Sequence, residues 1–344
     1  MPELAIGQRK AGPTYPPLVI AEIGINHEGQ MDKALRMIDD AAAVGCECVK
    51  FQCHVIEDEM IPNDVIPGNA KESIWEIMKK CAFSKEQDLQ LKRYTEKKGL
   101  IFLSTPFSRA AAVRLEDMNV KAYKIGSGEC NNYPLVTHIA RLQKPVILST
   151  GMNNLVSISK AVKILEKYNT PYALMHCTSI YPTPYTKVRL GALIQLQEAF
   201  PKAVIGLSDH SLSIYPCLGA VALGASILER HFTSDKRWPG PDIEISMNPK
   251  ELCELIEGSK VIHQSLGGKK DILSEERPTI DFAYACVVAI QDIYAGDIFS
   301  EKNIWVKRPG TGEIKAESFE SLLGRKAKKD IRINSQIKNE WVGE

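Results

Sequence analysis

The chain has 344 residues, with 43 Lys and Arg against 42 Asp and Glu, for a formal net charge of +1 at pH 7. Such a balance excludes a general electrostatic field for nucleic acid or an anionic membrane surface, so any bound anion must be held by a local cluster. The length fits about two domains or one barrel-sized domain with a small appendage, and no run reaches the roughly 20 apolar residues of a membrane span.

The segment Met1 to Pro17 carries basic residues but lacks the apolar core of a signal peptide. Nine cysteines is an odd number, and most of them (Cys46, Cys48, Cys177, Cys217, Cys253, Cys286) fall in apolar strands or helices. That is the pattern of reduced core thiols, and with the missing signal it points to a cytoplasmic protein. Cys46 and Cys48 share a strand face, but no second pair stands at zinc-site spacing.

From Leu18 to Gly267 one unit repeats, an apolar strand followed by a longer amphipathic segment. The strands read, in order, as Leu18 to Ile23, Cys46 to Phe51, Leu100 to Leu103, Ala122 to Ile125, Val146 to Leu148, Tyr172 to His176, Val204 to Leu207 and Ser226 to His231. Between them lie helices of period 3.6, such as Met31-Leu35-Ile38-Ala42 and Ile158-Val162-Leu165, with a last one from Pro249 to Leu266. Eight strands alternating with helices over about 250 residues is the count of a (β/α)8 TIM barrel. The rival, a doubly wound open sheet, lacks a GxGxxG after any strand. The barrel therefore spans residues 1–267, a charged and poorly periodic linker covers 268–282, and a small β-rich module punctuated by turns fills 283–344.

In a barrel the carboxyl ends of the strands line the ligand pocket, and alternate residues of a strand share a face. Applied here, this rule collects Glu22, Lys50, Gln52, Thr105, Lys124, Ser149, His176, Ser208, His210, Glu229 and His231. A lone strand-end histidine is most simply a satisfied core residue. So many polar groups in one barrel mouth are costly to bury unless a ligand or water satisfies them. Lys50 and Lys124, with hydroxyls from Thr105, Ser127, Ser149 and Ser208 and the amides of Gly126-Ser127-Gly128, suit a phosphate or phosphate-plus-carboxylate ligand. A lysine so placed also suits a Schiff base, as in aldolases. His210 and His231, with oxygens such as Glu22 nearby, suit a divalent ion with open positions, and manganese, magnesium or zinc all remain compatible. His27 and His54 follow the first two strands and read as loop residues within reach of substrate.

The segments Ala21-Glu22-Ile23-Gly24-Ile25-Asn26-His27, Ser104-Thr105-Pro106-Phe107-Ser108, Tyr123 to Cys130, His176 to Pro184, Leu207-Ser208-Asp209-His210, Glu229-Arg230-His231-Phe232-Thr233, Gly240-Pro241-Asp242 and Trp305 to Gly310 together resemble the sialic acid synthase family. The resemblance runs in order from Leu18 to the C-terminus. It implies a barrel followed by an antifreeze-like (SAF) domain, in a domain-swapped homodimer, condensing phosphoenolpyruvate with an open-chain N-acetylated sugar such as N-acetylmannosamine. It further implies that His210 and His231 hold the metal, manganese with magnesium or cobalt as alternatives. Lys50, Thr105, Lys124, Ser127, Ser149, Ser179 and Ser208 would hold phosphoenolpyruvate, although some members have Asn where this chain has Ser179. Glu22 would sit beside the metal and handle the proton of the attacking water, with Glu129 as the other candidate. Glu129, Asn69, Tyr181, Asp242 and Phe282 would face the sugar, and Arg308 would reach into the partner's barrel.

Relatives of this family that make legionaminic or pseudaminic acid take diacetamido-trideoxyhexoses, and one in animals takes a 6-phosphorylated sugar. The runs Gly128 to Leu135 and Ile66 to Ala70 look closest to the users of free N-acetylmannosamine. Two other classes stay open: a pyruvate-dependent aldolase on the same barrel, and a non-catalytic carbohydrate- or ice-binding protein suggested by the antifreeze-like module.

Overall fold

A computed structural model describes residues 1–344. The chain divides into two compact units, Met1–Leu266 and Gly267–Glu344. The first opens with a small antiparallel hairpin, β1 (Leu4–Ile6) and β2 (Arg9–Ala11). Eight parallel strands follow: β3 (Leu18–Gly24), β4 (Cys48–Cys53), β5 (Ile101–Pro106), β6 (Tyr123–Ile125), β7 (Val146–Ser149), β8 (Tyr172–Cys177), β9 (Val204–Asp209) and β10 (Ile227–His231). Their hydrogen-bonded order is β5-β4-β3-β10-β9-β8-β7-β6, and β5 and β6 lie side by side at the two ends, so the sheet closes into the expected barrel.

Two residue sets alternate along these strands. Outward-facing Val19, Ala21, Val49, Phe51, Leu148, Leu174, Ile205 and Leu228 pack under the helices, while inward-facing Leu18, Ile20, Cys48, Leu103, Ala122, Ile147, Ala173, Met175, Val204 and Ile227 fill the barrel. The helices follow from the sequence locally. Met31–Ala43 turns Ala34, Met37, Ile38 and Ala41 inward, and Pro249–Ser265 begins at a capping box formed by Asn248 and Glu251. At Gly206 any side chain would press on its neighbours, because an added Cβ would lie 2.5 Å from the carbonyl oxygen of Ile227.

The hairpin is a feature the sequence reading did not see. Leu4, Ile6 and Ala11 are buried in the same cluster as the first inward residues of the strands, so the hairpin closes the amino-terminal end of the barrel. Arg9 ties it to Glu47 at 2.8 Å, just ahead of β4.

In the second unit, residues 268–282 include a short turn of 3-10 helix, Ser274–Glu276, and most of a helix, Arg277–Ala283. β11 (Cys286–Ala289) pairs antiparallel with β12 (Ile304–Lys307), and isolated bridges such as Val288 to Gln336 and Ile293 to Ile331 extend the pairing. Val287, Phe299, Ile304, Ile331 and Ile337 form its own small core. No helix of the chain is long and apolar enough to cross a membrane. All nine cysteines are free, and eight of them are buried.

Candidate active site

The inward parity set by the barrel core continues to the carboxyl ends of the strands and brings polar side chains together. Glu22 and Lys50 are register partners across β3 and β4, as are Glu22 and His231 across β3 and β10, and Ser208 and Glu229 across β9 and β10. The register between β3 and β4 slips just after Glu22, where Gly24 adopts a φ of +55°. A Cβ at Gly24 would lie 3.2 Å from Glu22 Oε1, 3.4 Å from Gln52 Nε2 and 3.5 Å from His231 Cε1, so this glycine gives those three side chains their meeting point.

A buried charge cluster lies at the centre. Lys50 Nζ stands 2.7 Å from Glu22 Oε2, an ion contact outside the angle of a hydrogen bond, and donates to Thr105 Oγ1 at 3.3 Å. Lys124 Nζ donates to Glu229 Oε1 at 2.9 Å, Ser208 Oγ donates to the same oxygen at 3.1 Å, and Lys50 approaches it to 3.8 Å. Burial opposes the charge of Lys50, but Glu22 and Glu229 outweigh it and its pKa rises. For Lys124 burial dominates, and nearby Lys50 adds to it, so its pKa falls despite Glu229. Burial works against the Glu229 carboxylate too, yet Lys124 and Lys50 hold it down to about 2. Glu229 is therefore a fixed anion between two lysines, a part the sequence reading gave it no role in; its parity with His231 was the available signal.

Beside this cluster the loops after β6, β7 and β8 form a shelf of hydroxyls. Ser127 Oγ accepts from the Gly151 amide at 3.0 Å, and a Cβ on Gly151 would lie 2.8 Å from Ser127 Oγ, 3.1 Å from Cys177 Sγ and closer still to Ser179 Oγ. Ser149 Oγ is buried with no partner at all. An orphaned buried hydroxyl costs about 1–3 kcal/mol unless a ligand satisfies it.

His210 and His231 face each other with ring centroids 5.5 Å apart, and Tyr181 lies 4.2 Å from the His210 ring. His210 Nδ1 sits 3.2 Å from the carbonyl of Thr178, which accepts its proton and leaves Nε2 with a lone pair. His231 Nδ1 is buried without a hydrogen bond, 3.8 Å from Asp242 Oδ2. Burial lowers the pKa of both rings, so both stand neutral, the form that binds a metal. No three His, Cys, Asp or Glu side chains form a complete metal cage, so further positions on an ion between these rings would fall to water or substrate. Asn69 Nδ2 donates to Asp242 Oδ1 at 3.3 Å, which joins the loop after β4 to this corner. Glu129, on the turn after β6, accepts from Asn132 at 2.6 Å; burial first and the charge of Glu59 second raise its pKa.

Three expectations are corrected. His176 points outward, because Ala173, Met175 and Cys177 hold the inward phase of β8, and its Nε2 bonds the Val188 carbonyl at 2.7 Å. His27 is a core residue stacked on Phe83 with centroids 4.3 Å apart, its pKa pushed to about 3 mainly by burial. His54 is likewise buried, behind Gln52. Phe282 and Arg308 belong to the second unit, where the guanidinium lies 5.8 Å from the Phe282 ring.

A family model described as the NeuB family matches residues 37–271, and one described as the SAF domain matches residues 284–340. The chain is 37% identical over 331 residues to N,N'-diacetyllegionaminic acid synthase of Campylobacter jejuni, covering 93% of this chain and 98% of that relative. It is 33% identical over 343 residues to N-acetylneuraminate-9-phosphate synthase of Homo sapiens, covering 97% and 95%. The crystal structure of N-acetylneuraminic acid (sialic acid) synthetase from Leptospira borgpetersenii, in complex with citrate, matches with a TM-score of 0.74 and 36% identity over 81% of this chain and 95% of that one.

Proposed function

The chain belongs to the NeuB family and carries a C-terminal SAF domain, and from that premise we propose that it condenses phosphoenolpyruvate with open-chain N-acetylmannosamine to give N-acetylneuraminate and phosphate. The observation that carries the reading is the meeting, in one barrel mouth, of the Lys50–Glu22–Glu229–Lys124 cluster, a hydroxyl shelf and two neutral histidines.

In this reading Lys50 and Lys124 bind the phosphate and carboxylate of phosphoenolpyruvate, and Thr105, Ser127, Ser149, Ser179 and Ser208 donate hydrogen bonds to its oxygens. A serine at position 179 supplies one donor where some family members have an amide. His210 and His231 would hold a divalent ion, manganese before magnesium or cobalt, which when bound supplies Lewis-acid polarisation of the sugar aldehyde. Asn69, Tyr181, Asp242 and Glu129 orient the sugar, so that two reactants are held in register. A carbon–carbon bond forms between C3 of phosphoenolpyruvate and the aldehyde carbon; water adds to C2, and phosphate leaves with the bridging oxygen. Glu22, held beside Lys50, accepts the proton of that water, with Glu129 as the other candidate. No lysine adduct is required, which separates this scheme from a Schiff-base aldolase.

Phe282 and Arg308 are proposed to complete the sugar site from a second, domain-swapped subunit, Arg308 contacting the N-acetyl group. Mixing inactive Lys124→Met and Arg308→Ala chains should then restore part of the activity, and mixtures without activity would contradict it. The 37% identity to a legionaminic acid synthase favours a second reading, in which the acceptor is a diacetamido-trideoxyhexose. The deciding experiment measures phosphate release from phosphoenolpyruvate and manganese with N-acetylmannosamine, its 6-phosphate and the diacetamido sugar in turn. Release with the diacetamido sugar alone selects the second reading, and keto-acid product formed from pyruvate, with no phosphate released from phosphoenolpyruvate by any of the sugars, would overturn both.

A further inference from the structure

We propose that His54 and Glu59 are positioning residues that hold the Gln52 amide so that its NH2 group anchors the Glu22 carboxylate; the inference rests on the role of Glu22 given above. The residues form one hydrogen-bonded string. Glu59 Oε2 lies 2.8 Å from His54 Nδ1, His54 Nε2 lies 3.0 Å from Gln52 Oε1, and Gln52 Nε2 lies 3.3 Å from Glu22 Oε1. The histidine side chain is only 2% exposed and that of Glu59 8%. The imidazole is clamped by stacking on Phe107, with centroids 4.8 Å apart and planes 12° from parallel.

Hydrogen-bond bookkeeping gives this string a direction. An ionised Glu22, paired with Lys50, has only lone pairs to offer, so Gln52 must turn its amide NH2 toward it. The Gln52 carbonyl then faces His54 and needs a donor, so Nε2 carries a hydrogen. Nδ1 faces the Glu59 carboxylate, and a second proton lies on that line. Flipping Gln52 would set its carbonyl oxygen against the Glu22 carboxylate, two acceptors face to face in a buried site, and would strip Glu22 of this hydrogen bond. His54 thus selects the amide orientation that fixes the Glu22 carboxylate in place, without touching substrate itself.

The test begins with the substrate-free full chain labelled with 15N at histidine, the His54 ring signals being assigned by their loss in His54→Gln. A protonated Nε2 at neutral pH is expected, and a lone pair on Nε2 overturns the proposal whatever the chain's activity. Kinetics supply the second arm, read as phosphate release with the sugar found active above. His54→Leu should lower kcat by about 10- to 100-fold while KM for phosphoenolpyruvate stays within about threefold. His54→Gln, which restores a donor where Nε2 sat, should recover most of kcat. Unchanged kcat in His54→Leu, or no recovery in His54→Gln, refutes the positioning role. Should no sugar support turnover, the functional reading fails while the ring-proton measurement still decides this one.

Discussion

Lys124→Met removes one of the two cations that face Glu229. The pair is separated by 2.9 Å, and the side chains are 3% and 5% exposed, so the carboxylate left behind is buried and partly uncompensated. Breaking a buried ion pair from one side costs about 3–5 kcal/mol. Lys50 at 3.8 Å and the Ser208 hydroxyl at 3.1 Å remain on the same oxygen, so the expected loss lies at the lower end, about 3 kcal/mol. The ligand loses a charge-assisted hydrogen bond worth about 1.5–3 kcal/mol, or about 10- to 150-fold in Kd for phosphoenolpyruvate. Urea titration reads the first quantity and calorimetric binding reads the second. Adding Glu229→Gln removes the stranded charge, so the double variant should regain most of the stability and none of the affinity. Lys124→Met that bound phosphoenolpyruvate within about threefold of the parent would refute the placement of the ligand on this lysine.

Gly151→Ala places a methyl group among the hydroxyls of Ser127 and Ser179, an overpacking of about 1–3 kcal/mol that should raise KM for phosphoenolpyruvate about fivefold or more and leave KM for the sugar unchanged. Leu4→Ala opens the closed amino-terminal end of the barrel; a loss of about 2–5 kcal/mol is expected in urea, with kcat at 25 °C preserved. Because the pKa of Glu229 is depressed from its ordinary value near 4.5, its contribution to stability is complete above that pH and fades as pH falls toward about 2. In Glu229→Gln the acid-side loss over that window should be smaller, as read by urea midpoints across pH.

The barrel was legible because closed parallel strands are buried on both faces and read as continuous apolar runs, and their polar ends stand out against that background. Parity then gathered Glu22, Lys50, Thr105, Lys124, Ser149, Ser208 and His231 correctly. It failed for His176, because a strand that is apolar on both faces does not reveal its own phase; only the neighbours that bury Met175 and Cys177 do so. The β1–β2 hairpin has three-residue strands, too short for any period to show. The link from Glu59 to Glu22 joins residues 37 positions apart in sequence through a side-chain string, and no local pattern encodes it.

The most direct test of the central claim follows an isotope. With phosphoenolpyruvate labelled with 18O in its bridging oxygen, the acceptor sugar and manganese, the label should leave with inorganic phosphate, since the bond broken is that between C2 and the bridging oxygen. Label retained in the keto acid, or product formed without phosphate release, would contradict the account.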